Sequence, residues 1–120
     1  MGFSATPSEA LGALEPLLDG VRREMDQAIQ SGQPGLRELI PLVAHFRGKM
    51  LRPALTLTCA EVCGADPQSD AARVLSATVE LIHISTLVHD DVLDEADLRR
   101  NTPTINALQG NEAAVILGDW

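Results

Sequence analysis

Residues 80–100 read ELIHISTLVHDDVLDEADLRR, and the second half gathers Asp90, Asp91, Asp94, Glu95 and Asp97 with Arg99 and Arg100 directly behind them. Set on a helix at about 100° per residue, His83, Leu87, Asp90 and Asp94 fall on one stripe. Asp97 lies near its edge and Asp91 about a quarter turn away. Such a stripe opposes stability. Like charges at i, i+4 repel by roughly 0.2–0.5 kcal/mol a pair, and acids at a helix C-terminus face the negative end of its dipole. A cation offsets that cost. Hard divalent ions suit clustered carboxylates, and Mg2+ joins one or two of them to phosphate oxygens. The bland alternative is an acidic, solvated helix end; the apolar character of the preceding turns argues against it.

A second cluster precedes the first. The stretch HFRGKMLRP, residues 45–53, contains the only lysine, Lys49, close to Arg47 and Arg52. Arginine forks and lysine charges hold phosphate oxygens by a different route from carboxylate-bound metal. The two routes together imply a polyphosphate site. The competing reading pairs the arginines with Asp94, Glu95 or Asp97 as surface ion pairs, which are worth little.

These residues need helices to position them. The chain has 120 residues and a formal charge of -8, enough for one domain and unsuited to a nucleic-acid partner. Its aromatics are Phe3, Phe46 and Trp120, with no tyrosine, a composition of aliphatic helices rather than sheet. No repeat or strand pattern is found, and the fold class is all-α. Residues 1–7 read as a loose arm. A helix over 9–30 is capped by Ser8, with Pro16 expected to kink or break it. A turn at 31–35 leads to a short helix carrying Leu36, Leu39, Ile40 and Val43. Pro53 starts a helix over 54–63 that is apolar nearly all round, as a buried bundle helix would be, and Gly64 ends it. The long helix covers 69–94, a loop covers 99–103, and Thr104 or Asn106 starts a last helix with no evident ending at Trp120. Cys59 and Cys63 have no partners for a zinc set and are expected to be reduced core residues. The N-terminus lacks a signal-peptide pattern and no apolar run reaches membrane-spanning length, so the expected compartment is the cytoplasm, with no transmembrane segment.

Asp90-Asp91-Val-Leu-Asp94 followed by Asp97-Leu-Arg99-Arg100 resembles the first aspartate-rich motif of the trans-isoprenyl diphosphate synthases, the polyprenyl synthetase family. Gly48-Lys49-Met-Leu-Arg52-Pro53 is similar to that family's Gly-Lys-x-x-Arg-Pro motif. Both occur in the right order, and the resemblance runs from about Leu36 to Trp120, including Asn106-Ala-Leu and Leu117-Gly118-Asp119. It implies an all-α helical bundle of the isoprenoid synthase type, of which residues 1–120 would be the N-terminal portion of a single domain. It also implies Mg2+-dependent, head-to-tail condensation of isopentenyl diphosphate with an allylic prenyl diphosphate.

By the same resemblance, Asp90, Asp91 and Asp94 would hold Mg2+ on the allylic diphosphate, with Arg99 beside them. Lys49, Arg52, His83 and Arg100 would hold isopentenyl diphosphate, although His83 taken alone reads as a core histidine. Ser85 and Thr86, five and four positions before the motif, would help set product length. Both are small, which implies a long-chain product. The full-length enzyme would be a homodimer. The family's second aspartate-rich motif does not occur in these 120 residues, so the isolated piece is expected to be inactive. A terpene cyclase-like diphosphate ioniser and a non-catalytic diphosphate-binding or regulatory fragment are the other readings.

Overall fold

The first helix is closed by a reciprocal cap. The Thr6 amide and hydroxyl both donate to Glu9 Oε2, at 2.7 and 2.9 Å, while the Glu9 amide donates to Thr6 Oγ1 at 3.3 Å. This capping box, with proline at the first helical position, starts α1 (Pro7–Gln30). The cap is therefore Thr6, and the expected Ser8 lies inside the helix. Pro16 also lies inside without ending it. The carbonyl its ring crowds is that of Gly12, four residues back.

The computed structural model describes residues 6–30, 34, 41, 43 and 46–119. Most of the expected turn at 31–35 and of the short helix after it, with His45 and Trp120, lies outside the described residues; Val43 is buried. The chain divides into two compact units.

The first unit comprises residues up to 27 together with 50–80. Its core is Leu18, Val21 and Met25 of α1, Met50, then Ala54 and Leu57 of α2 (Leu51–Val62), then Ala72 and Ala77. Met50 precedes α2 in the left-handed conformation, at φ 59° and ψ 34°. Gly64, at φ +85°, ends the helix. Its amide donates to the Glu61 carbonyl at 3.0 Å, and that of Ala65 to the Ala60 carbonyl at 2.8 Å. Two expectations for α2 fail. Leu55 and Val62 are 65% and 82% exposed, and Cys59 and Cys63 are exposed free thiols rather than core residues. Relative to buried Leu57 they stand about 200° and 240° around the helix, on its far side.

The long helix α3 (Asp70–Leu93) begins at Ser69, whose hydroxyl accepts from the Ala72 amide at 3.2 Å. Arg73 fastens its first turns by donating to Glu24 at 3.0 Å and Asp70 at 2.8 Å. Contrary to expectation, α3 is long and apolar enough, by length and composition, to cross a membrane. Its buried residues nevertheless include Ser76, Glu80 and Asp91, polar groups suited to a protein core and costly in lipid.

The second unit takes in residues 28–49 and 81 onward. Ile29, Val43, Phe46, Ile84, Val88, Ile105, Ala114 and Leu117 are its buried apolar residues. After α3 the chain forms strands β1 (Leu98–Arg99) and β2 (Thr102–Pro103), antiparallel, with Leu98 opposite Pro103 and Arg99 opposite Thr102. Arg100 and Asn101, at φ 50° and 61°, make the two-residue loop, as a type I′ turn requires. The sequence reading found no strand here, because two residues per strand carry no alternation. Thr104 caps α4 (Ile105–Gln109) by accepting from the Ala107 amide at 3.2 Å. Gly110, at φ +88°, then separates α4 from α5 (Asn111–Asp119) where one helix was expected. Helices dominate, and the fold is all-α.

Candidate functional site

The last turns of α3 carry two stripes. Ile84, Val88 and Asp91 are buried, separated by four and three residues, so Asp91 continues the apolar face. His83 and Leu87 are half-buried, and Asp90 and Asp94 are exposed. The structure therefore divides the three aspartates. Asp90 and Asp94 make no ion pair among the described residues, whereas Asp91, 3% exposed, is held by Arg99.

That pair is bidentate. Arg99 Nη2 donates to Asp91 Oδ1 at 2.7 Å, and Nε donates to Oδ1 and Oδ2 at 3.0 and 3.1 Å. A planar guanidinium fork on a carboxylate has this geometry. The hydrogen bonds it donates to Asp91 push the Arg99 guanidinium above its ordinary range. Partial burial works against them, and the charges of Asp91, Asp90 and Asp94 add to the rise. Nη1 is left without a partner among the described residues and can serve a further anion.

Lys49 and Arg100 are exposed cations of this unit with no ion pair among the described residues. Arg100 stands at the tip of the β1–β2 hairpin and crosses close to Gly48, where an added Cβ would lie 3.7 and 3.8 Å from its two terminal nitrogens. Gly48, beside Lys49, and the hairpin arginine thus meet. Arg52, also exposed, belongs to the first unit, on the first turn of α2. His83 lies on α3 before the aspartates, its carbonyl accepting from Thr86 Oγ1 at 2.6 Å.

Ser85 and Thr86 separate as well. Ser85 lines an apolar cavity of about 140 Å3, with Ile29, Val43, Ile84, Val88 and Leu117 among its walls, and its hydroxyl donates to the Gly118 carbonyl. Thr86 is exposed and does not line that cavity.

Sequence reasoning missed the residues that brace the site. His89 Nε2 is 3.1 Å from the Val115 carbonyl and 3.4 Å from Asp119 Oδ1. Its ring fills the notch at Gly118, where a Cβ would collide with the imidazole. Thr104 is fully buried, its hydroxyl donating to the Ala96 carbonyl at 2.7 Å. Asn106 Nδ2 donates to the same carbonyl at 2.9 Å and reaches the Asp91 carbonyl at 3.4 Å. These roles depend on contacts made by α4 and α5, which local spacing does not show.

No group of three or more His, Cys, Asp or Glu side chains among the described residues is placed to enclose a metal ion. Two exposed carboxylates one turn apart, Asp90 and Asp94, fit the narrower need of Mg2+, which takes one or two carboxylates and fills its shell with water and phosphate oxygens. Asp91, while paired to Arg99, is not available to it.

Residues 33–120 match the family model described as Polyprenyl synthetase. The chain is 36% identical over 118 residues to nonaprenyl diphosphate synthase of Mycobacterium tuberculosis, covering 98% of this chain and 33% of that protein. Among solved structures it is similar to a decaprenyl diphosphate synthase from Rhodobacter capsulatus, with TM-score 0.82 and 35% identity over 93% of this chain and 34% of the other. It is also similar to a polyprenyl synthase from Caulobacter crescentus complexed with calcium and isoprenyl diphosphate, with TM-score 0.79 and 33% identity over 99% and 36% of the two chains. The chain thus spans about a third of the length of these relatives. With the aspartate motif on α3, the Gly48-Lys49 motif and the all-α architecture all in place, the chain belongs to the polyprenyl synthetase family.

Proposed function

We propose that these residues form the allylic-diphosphate half-site of a trans-polyprenyl diphosphate synthase, which condenses isopentenyl diphosphate head-to-tail with an allylic prenyl diphosphate. The observation that carries this reading is the division of labour on α3. Asp90 and Asp94 stand exposed and without ion pairs among the described residues, while Asp91 fixes Arg99 beside them. Asp90 and Asp94 would hold Mg2+, which when bound neutralises charge developing on the departing diphosphate. Arg99, oriented by Asp91, would present Nη1 to the same leaving group. Lys49 and Arg100, with His83, would hold isopentenyl diphosphate as a second anion. Two diphosphates fixed at neighbouring positions convert a bimolecular encounter into a positioned one. Lys49 and Arg100 weigh against a terpene cyclase-like reading, which has no second diphosphate to hold.

The test has two stages. Calorimetry of this chain with Mg2+ and inorganic diphosphate should show metal-dependent binding that Asp90→Ala with Asp94→Ala abolishes. In an enzyme of the relatives' full length, isopentenyl diphosphate should be consumed with chain elongation. Ionisation of the allylic substrate without that consumption would refute the synthase reading. The 120 residues alone are expected to bind without turnover.

A further inference from the structure

The end of α3 adopts a geometry that its own sequence disfavours. Glu95 lies in the left-handed region at φ 52°, a conformation ordinarily given to glycine. The Ala96 amide donates back to the Asp91 carbonyl at 2.9 Å and the Glu95 amide to the Val92 carbonyl at 3.2 Å. This is the helix-ending motif that places glycine at the position Glu95 occupies. Asp94, immediately before it, keeps its amide on the Asp90 carbonyl at 2.8 Å. The relation between the two exposed carboxylates therefore depends on how firmly this strained turn is held.

Two side chains from the start of α4 hold it. Thr104 Oγ1 and Asn106 Nδ2 both donate to the Ala96 carbonyl, at 2.7 and 2.9 Å, and Asn106 also reaches the Asp91 carbonyl. The orientation of the Asn106 amide is dictated by its partners. Turned over, its oxygen would face two carbonyls and repel both. In the observed orientation Oδ1 is buried without a partner among the described residues. The side chain thus leaves an acceptor unpaired in order to donate to the α3 terminus.

We infer that Asn106 is a positioning residue: its amide clamps the Ala96 and Asp91 carbonyls, holds Glu95 in the left-handed conformation, and thereby fixes Asp94 relative to Asp90. The consequence for metal binding rests on the proposed role of those two carboxylates. The clamp itself does not.

The experiment is a mutant cycle on this chain, read by NMR amide exchange and by calorimetry with Mg2+ and inorganic diphosphate. Asn106→Ala should lower protection of the Ala96 and Glu95 amides about tenfold relative to amides of α1. Asn106→Asp, of the same shape but without the donor, should do no better. Glu95→Gly removes the conformational cost, so alone it should raise protection about fivefold, and in the Asn106→Ala background it should restore most of the loss. Metal-dependent diphosphate affinity should fall with Asn106→Ala and recover in the double variant. Unchanged protection in Asn106→Asp, or a uniform loss along the chain that Glu95→Gly does not repair, would overturn the inference. If Asn106→Ala does not fold, Glu95→Gly alone still decides, since lowered protection there contradicts a strained, clamped turn. Absence of Mg2+-dependent diphosphate binding in the unsubstituted chain would refute the proposed site, and the exchange data would still decide the clamp.

Discussion

Asp90 and Asp91 are chemically identical neighbours that meet opposite surroundings, because about 100° of helix rotation carries one into solvent and the other onto the Ile84 and Val88 face. Asp91→Asn would keep the shape and weaken the grip on Arg99, which is itself about one-third exposed. Discounting for that exposure, the expected loss is about 1–2 kcal/mol in urea unfolding, with weaker metal-dependent diphosphate binding. Gly118 invites a second test. Gly118→Ala drives a methyl into the His89 ring and should destabilise by about 1–3 kcal/mol. Adding His89→Ala should recover part of that loss, and the coupling is read as a double-mutant cycle. The exposed carboxylates and cations were legible from residue type and spacing. Asp91's burial was implicit in its offset from Ile84 and Val88, but a run of acids read as a charge cluster conceals which member faces inward. The bracing by His89, Thr104 and Asn106 was not legible, since it arises from contacts 8–30 residues away in sequence.

At the scale of elements, α3 was legible almost to the residue, expected over 69–94 and found at Asp70–Leu93, because Ser69 gives a cap and the apolar period is sustained. For α1 the decisive signal was glutamate three residues after a hydroxyl: Thr6 has Glu9, whereas Ser8 has Leu11. The hydrogen bonds from Thr6 lower the Glu9 pKa. A lowered carboxylate contributes stability above its unfolded pKa and loses it as pH falls through the folded one. An NMR titration should therefore place the Glu9 midpoint below the usual glutamate range, and Thr6→Ala, which removes the hydroxyl but keeps the backbone amide that lowers it most, should return it only part of the way. The face of α2 was misjudged because a helix without a polar side gives no direction to its burial; Leu57 is buried and Leu55 is not. The break between α4 and α5 was signalled by Gly110, whose left-handed backbone a continuous helix cannot contain.

For the whole molecule, the small cavity beside Ser85 is the place where α3 and α5 leave apolar space below the carboxylates. In a full-length enzyme Ser85→Phe should shorten the product by filling that space. Thr86→Phe, which does not line it, should shorten the product less, as read by chromatography of the dephosphorylated prenols. Equal effects would show that the cavity is not the controlling volume. The two adjacent arginines carry a further consequence. Arg99 has already lost its rotational freedom to Asp91 before any anion arrives, whereas Arg100 is exposed and without an ion pair among the described residues at the hairpin tip. Immobilising a long, free side chain consumes entropy, and a side chain held in advance gives up little more. Two neighbours of one residue type should therefore carry opposite calorimetric signatures: removing Arg100 makes anion binding less exothermic and less entropically opposed, and removing Arg99 takes away heat without that relief.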